Sequence, residues 1–276
     1  MDELRARFPH WSVAITRGGT KPPRSLRLLR VALVAALGVT MGLGLYSVGR
    51  AITTPHRTTP VYNPPVLAGQ FVPGYCSAGF YARKGDEIVL TTSEHCAGEG
   101  TVVHDPTTGM LLGVIGPTDQ EATCPYPGHT CAASDMNYLI VAPERIPWGH
   151  LNVVDMGTAG YRVIPAGTVA LGCDDIAIGD PIEIDGRALY RSGTVAEKGE
   201  NLEPANEDGS FFPCMVASRV QAGPGDSGGS VLDRGIPAGV TSRSFAGNLG
   251  FTPLAGGLVE LGLTLCTTPD CGLTPP

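Results

Sequence analysis

Residues 225–229 read Gly225-Asp226-Ser227-Gly228-Gly229. A serine hydroxyl is a weak nucleophile until a base takes its proton. Glycines on both sides let the backbone bend so that amide N–H groups face a substrate carbonyl. Those of Gly225 and Ser227 are the natural donors for an oxyanion. A glycine-rich hairpin turn uses the same residue types, so the rest of the chain has to supply partners for Ser227.

The string also satisfies Gly-x-Ser-x-Gly, the strained elbow of α/β-hydrolases, but that fold places its His after the Ser. Every His here (His10, His56, His95, His104, His129, His150) precedes Ser227. Asp86 followed by His95 gives the order Asp…His…Ser, which needs alternating helices and parallel strands that this sequence does not show. The order His…Asp…Ser remains. His95 closes Leu90-Thr91-Thr92-Ser93-Glu94-His95-Cys96, the end of an apolar β run. Asp135 precedes Met136-Asn137-Tyr138-Leu139-Ile140-Val141, and an acid at the mouth of a buried strand can orient a His through Nδ1. Asp155, Asp174 and Asp175 lack so clear an apolar strand behind them.

Working outward, short runs rich in Val, Ile, Thr and Tyr alternate with turn residues: Ile88–Thr92, Tyr138–Val141, Tyr161–Ile164, Gly193–Ala196, Gly229–Leu232 and Gly239–Ser242. Gly 38 and Pro 24 are high counts in 276 residues, and only 16% are charged. The pattern predicts an all-β, antiparallel sandwich or barrel, closed by a short helix within Leu254–Leu265. Residues 1–30 read as a basic, disordered cytoplasmic segment. Residues 31–49 are uncharged and as a helix reach roughly 28 Å, enough to cross a membrane as a signal anchor or to serve as a signal peptide. Residues 50–65 form a Thr/Pro linker. The first thirty residues carry seven basic and two acidic side chains, so of the total charge of −7 the remaining chain holds −12. An acidic body argues against nucleic-acid binding. The expected place is outside the cytoplasm, anchored or secreted.

The eight cysteines (Cys76, Cys96, Cys124, Cys131, Cys173, Cys214, Cys266, Cys271) are even in number and all follow the apolar segment. They suggest disulfides and an oxidising compartment. Cys124, His129 and Cys131 are the nearest approach to a metal site, but they lack a paired CxxC spacing and a fourth ligand. No metal is expected.

Three blocks carry a resemblance to a known family. Thr92-Ser93-Glu94-His95-Cys96 resembles the Thr-Ala-Ala-His-Cys motif of chymotrypsin-like serine peptidases. Asp135-Met136-Asn137-Tyr138-Leu139 resembles their Asp-Ile-Ala-Leu-Leu block, and residues 225–230 resemble Gly-Asp-Ser-Gly-Gly-Pro. Cys76-Ser77-Ala78-Gly79-Phe80 and Ser192-Gly193-Thr194-Val195 look like segments of the secreted bacterial streptogrisins. Over about residues 66–266 the likeness implies two six-stranded antiparallel β-barrels, about 66–150 and 151–276, with a cleft between them. It implies a His95, Asp135, Ser227 triad, an oxyanion hole at Gly225 and Ser227, peptide or protein substrates and no cofactor. It also implies a Cys76–Cys96 disulfide. Proximity adds Cys124–Cys131 and Cys266–Cys271, which leaves Cys173–Cys214.

The sequence departs from the family in three places. Ser93-Glu94 replaces two alanines. Gly223 stands where a Cys near the specificity pocket is usual. Ile184 stands where bacterial relatives carry an Arg that pairs with the Asp beside the nucleophile. A buried, unpaired Asp226 is costly. Its candidate partners are Arg187 or a new amino terminus at Val66, exposed by cleavage. The specificity pocket is expected to form from Gln221 and Ala222 on one wall and Ser242, Arg243 and Ser244 on the other. No carboxylate there suits a Lys or Arg side chain; small, polar or acidic side chains fit better. Two rival readings are an inactive peptidase-like module that binds peptides at the cell surface, and an esterase using the same triad. Oligomeric state is not legible.

Overall fold

The computed structural model describes residues 65–70, 76–105, 108–118, 130–132, 134–186, 189–199, 210–245 and 247–275. The expected segments 1–30 and 31–49, most of the linker, and Cys124, His129 and Arg187 lie outside these residues. Among the described residues no helix is long and apolar enough to cross a membrane.

Among the described residues sixteen strands and one α-helix follow in chain order. The strands are β1 (Tyr81–Lys84), β2 (Glu87–Thr92), β3 (Val102–His104), β4 (Leu111–Ile115), β5 (Thr130–Cys131), β6 (Asn137–Val141), β7 (Val153–Asp155), β8 (Tyr161–Val163), β9 (Pro181–Gly186), β10 (Leu189–Gly199), β11 (Ser210–Phe211), β12 (Met215–Gln221), β13 (Ser230–Asp233), β14 (Ile236–Phe245), β15 (Asn248–Pro253) and β16 (Thr264–Leu265). Helix α1 spans Leu254–Glu260, the first part of the run that the sequence marks as helical, whose last two residues form β16. All six runs singled out by composition fall on strands, because β-branched and aromatic side chains suit a pleated, half-buried surface.

Two layers of sheet hold the site. In the second half, β10-β12-β15-β14-β13-β9 close into a barrel, which removes every exposed edge. Its interior is filled by Ile182, Ile184, Val195, Val216, Val220, Val231, Leu249 and Phe251, all buried. The first half is a six-stranded sheet in the order β16-β1-β2-β6-β4-β3. Of the two expected barrels, one closes among the described residues; in the first half these residues give a six-stranded sheet whose outer strands are β3, of three residues, and β16, of two. The sixth strand, β16, comes from Thr264–Leu265, so the chain returns to the first sheet after completing the barrel.

Strand β6 lies between β2 and β4, which explains why Asn137–Val141 is buried along nearly its whole length. Its pairing with β2 aligns Thr92 with Asn137 and Thr91 with Tyr138. The segments just beyond these two ends, which carry His95 and Asp135, are thereby brought side by side. Disulfides join Cys76–Cys96, Cys173–Cys214 and Cys266–Cys271; the expected Cys124–Cys131 pair lies outside the described residues.

The Cys76–Cys96 bridge closes a loop of 20 residues in sequence separation. Replacing both cysteines by Ser is expected to lower stability by about 3 kcal/mol, read from the urea midpoint. Unreduced peptide mapping should recover the two residues in one linked fragment.

Candidate active site

His95 sits in a single 3-10 turn, Glu94–Cys96, just past β2. Cys96 is tied to Cys76, so the ring cannot drift with the turn. Asp135, 2% exposed at the mouth of β6, accepts from the His95 backbone N–H at 3.3 Å. Its Oδ2 lies 2.7 Å from His95 Nδ1, and His95 Nε2 lies 2.9 Å from Ser227 Oγ. The structure thus brings together the three residues that the sequence singled out, over separations of 40 and 132 residues. Ser242 Oγ also donates to Asp135 Oδ2, while the Ser242 carbonyl accepts from Ser227 Oγ at 3.1 Å.

The departure at Ser93-Glu94 is resolved by hydrogen bonding. Ser93 is fully buried and its hydroxyl donates to the Thr241 carbonyl at 2.6 Å, a tie that an alanine cannot make. It joins the His95 segment to β14 of the barrel.

The nucleophile loop is clamped from below. Ser77 N–H donates to the Ser227 carbonyl at 2.7 Å, and Ser77 Oγ donates to the Gly225 carbonyl at 2.8 Å. Gly225 and Gly228 have φ of +91° and +86°, the left-handed region that glycine enters without strain. A Cβ at Gly228 would also lie 2.1 Å from the Ser77 carbonyl oxygen. Among the described residues the N–H groups of Gly225 and Ser227 have no acceptor within the chain.

Asp226 is 4% exposed and fully engaged. Arg191 Nη1 and Nη2 donate to its Oδ2 and Oδ1 at 2.8 and 2.6 Å, and Gly223 N–H donates to Oδ2 at 2.6 Å. Of the two expected partners, Arg187 lies outside the described residues, and the Val66 amino group does not fill this place. Val66 is buried, its N–H donating to the Arg145 carbonyl and its carbonyl accepting from Tyr81. The cation is supplied by Arg191, directly opposite Ile184 in the β9–β10 ladder. The family's arginine position and this one are cross-strand neighbours, so the charge reaches the same carboxylate from the adjacent strand.

A cavity of about 310 Å³ opens beside Ser227, lined by Ala222–Asp226, Thr241–Ser244 and Leu249. Ala222, Ser242, Arg243 and Ser244 take their expected places on its walls. Gln221 does not: it pairs with Asn248 at the end of β12, stays exposed, and gives its carbonyl to Arg191. The ladder turns its side chain away from the cavity. Among the described residues the one cluster of metal-type ligands is Cys76, His95 and Cys96, and its two sulfurs are spent in a disulfide.

Two titrations are shifted. Burial lowers the basicity of His95, but the hydrogen bond and charge of Asp135 more than offset it. Arg243 opposes the imidazolium and Glu94 favours it, and the net pKa lies above the ordinary 6.5. Asp185, 1% exposed on β9 behind the loop, has Oδ1 without a partner. Burial pushes its carboxyl up to about 7; Asp155 adds repulsion and Arg191 partly offsets it.

The fold and this cleft define a class: the chain has the chymotrypsin-like fold of bacterial serine proteases. More particularly, it is similar to Streptogrisin-C of Streptomyces griseus, 27% identical over 206 residues, which cover 71% of this chain and 39% of that protein. The chain thus matches about two fifths of the relative's length. No protein-family model matches it. Among solved structures it is similar to a glutamic-acid-specific serine protease, with 23% identity, a TM-score of 0.56, and 72% of this chain and all of that one covered. Protease A of Thermobifida fusca has 23% identity and a TM-score of 0.54, with 74% and 98% covered. The chymotrypsin of Cellulomonas bogoriensis has 22% identity and a TM-score of 0.53, with 74% and 100% covered. At these identities the structural likenesses speak for the fold alone.

Sequence reasoning missed Arg191, Ser77 and the second role of Ser242. Aligning the strands on either side of residues 187–188 would have set Arg191 opposite Ile184; the other two depend on contacts between distant segments and leave no local pattern. Arg191→Ala should lower stability by about 2–4 kcal/mol by stranding Asp226, as read by chemical denaturation. For Asp185 the sign runs the other way. Its folded pKa lies above the ordinary 3.8, so at neutral pH the folded chain retains a proton that the unfolded chain has released, and stability falls as pH rises between the two values. Asp185→Asn should therefore raise Tm relative to wild type at pH 8 and change it little at pH 4, measured by calorimetry.

Proposed function

We propose that this chain is a serine endopeptidase that cleaves peptide bonds through an acyl-enzyme. The observation that carries this reading is the continuous chain from Asp135 Oδ2 through both His95 nitrogens to Ser227 Oγ, at 2.7 and 2.9 Å. Ser227 Oγ attacks the scissile carbonyl while His95 Nε2 takes its proton. Asp135 holds the proton on Nδ1 and stabilises the imidazolium. The N–H groups of Gly225 and Ser227 receive the negative charge that develops on the carbonyl oxygen. His95 then protonates the leaving amine as the C–N bond breaks. Water, deprotonated by His95, attacks the ester, and Ser227 departs with the proton returned. Every group in this path belongs to the chain, so the reading requires no cofactor.

Asp226 already has its cation in Arg191, so the proposed enzyme is active without cleavage near Val66. Disulfides in the described residues favour a place outside the reducing cytoplasm; residues 31–49 would export the domain, as anchor or as cleaved signal.

Ser227→Ala and His95→Ala are each expected to reduce kcat/KM on peptide amides by about 10⁴-fold or more while Tm stays near wild type. An alkyl fluorophosphonate should label wild type at Ser227. A folded wild-type chain that neither labels nor cleaves would indicate the inactive binding module instead. Because His95 must be neutral to act as base, the acid limb of the kcat/KM profile should have its midpoint above pH 6.5. Asp135→Asn should move that limb downward as well as slow the reaction.

A further inference from the structure

Arg243 differs from Arg145, Arg162, Arg191 and Arg234, each of which pairs with a carboxylate. Arg243 is half-buried, its Nε is shut off from water with no hydrogen-bond partner, and among the described residues no carboxylate pairs with it. Its guanidinium lies 5.1 Å from the ring centroid of Phe212, which is 2% exposed. Packing against a fixed aromatic face restricts the planar fork and leaves its donors for something else.

Arg243 and Ser244 line the cavity that also exposes Ser227. At this point β14 shifts register between Thr241 and Ser244, so Ser242 and Arg243 have no partner residue in β15. Among the described residues Asp226 is the one carboxylate on the cavity wall, and it is taken by Arg191 and Gly223. Among these residues no carboxylate offsets the charge that Arg243 brings to the wall, and that charge is close enough to His95 to oppose its protonation.

A partly desolvated guanidinium with an unused donor gains most from a carboxylate, which takes two parallel N–H···O bonds. A Lys or Arg side chain meets like charge there, and an apolar one leaves the donor unpaired. The direction of the substrate follows from the chemistry. His95, on the first sheet, must protonate the leaving amine, so that amine departs on the first sheet's side. The cavity is lined by β14 and β15 of the barrel and by the loop that joins β12 to β13, and it receives the acyl part.

We infer that the cleft selects peptides with a Glu or Asp side chain on the acyl side of the scissile bond, read by Arg243 with Ser244 Oγ as a second donor. The inference rests on the endopeptidase reading above and adds its substrate class.

The test uses acyl-tripeptide aminocoumarin amides in which each of the three acyl residues in turn is Glu or its neutral isostere Gln. Wild type should favour Glu over Gln by about tenfold or more in kcat/KM at one position. Arg243→Gln should bring that ratio to about one, while Arg243→Lys, which keeps a point charge but loses the fork, should retain part of it. With the Gln substrate, Arg243→Gln should also move the acid limb of the pH profile upward, because a cation that opposes the imidazolium has gone; loss of packing alone does not do this. Fluorophosphonate labelling of Ser227 separates the two levels of failure. Labelling without a Glu preference at any position, or a preference that survives Arg243→Gln, overturns the inference and leaves the peptidase reading standing. Absence of labelling and cleavage in the folded wild type removes both.

Discussion

Two hydrogen bonds from one residue carry the rest of the site. Ser77 gives its backbone N–H to the Ser227 carbonyl and its hydroxyl to the Gly225 carbonyl. Its neighbour Cys76 is joined covalently to Cys96, next to His95. The segment at residues 76–77 thus holds both His95 and Ser227 from a single short piece of backbone, although these two residues are 132 positions apart. The left-handed glycines follow from this. The loop can approach the Ser77 carbonyl only where no Cβ intervenes, and Gly228 is that place. Thr92 fixes the clamp from the other side, its hydroxyl donating to the Ser77 carbonyl. A site whose parts come from different sheets needs such ties, because sub-ångström misplacement of reacting groups is expensive in rate.

Much of this was legible because it is local. His95-Cys96, Asp135 ahead of an apolar strand, and a serine among glycines each announce themselves within a few residues, and their order excludes two other hydrolase folds. Three disulfide pairs were legible from family pattern and proximity. What escaped was non-local or depended on register. Arg191 could not be read from position 184 because the charge had moved to the facing strand, and only the ladder pairing shows that the two positions are neighbours. Gln221 was misplaced for the same kind of reason: counting back from Ser227 gives its distance along the chain, but its pairing with Asn248 decides which way it faces. Strand β16, with only two residues, is too short to announce itself in the sequence.

Electrostatics then sets the tone of the cleft. Three carboxylates, Asp135, Asp185 and Asp226, lie buried in this region, and each meets a different fate. Asp135 accepts from His95 and Ser242, Asp226 is saturated by Arg191 and Gly223, and Asp185 has an oxygen without a partner. Buried charge is tolerated where it is hydrogen-bonded and drifts toward neutrality where it is not. The same fold therefore keeps two fully hydrogen-bonded carboxylates and a third carboxyl, Asp185, that burial pushes up to about 7.

Strand β14 divides its labour by position. Ser242 points its hydroxyl at Asp135 and lends its carbonyl to Ser227, whereas the next two side chains, Arg243 and Ser244, border the substrate cavity. On the proposed reading, the residue that supports the triad and the residues that border the cavity are adjacent in sequence yet face different neighbours. Substitutions at 243 and 244 would then reshape the cavity wall while position 242 keeps its hold on Asp135 and Ser227. Selectivity could drift in this way without loss of the chemistry, one codon away from the support of the proposed triad.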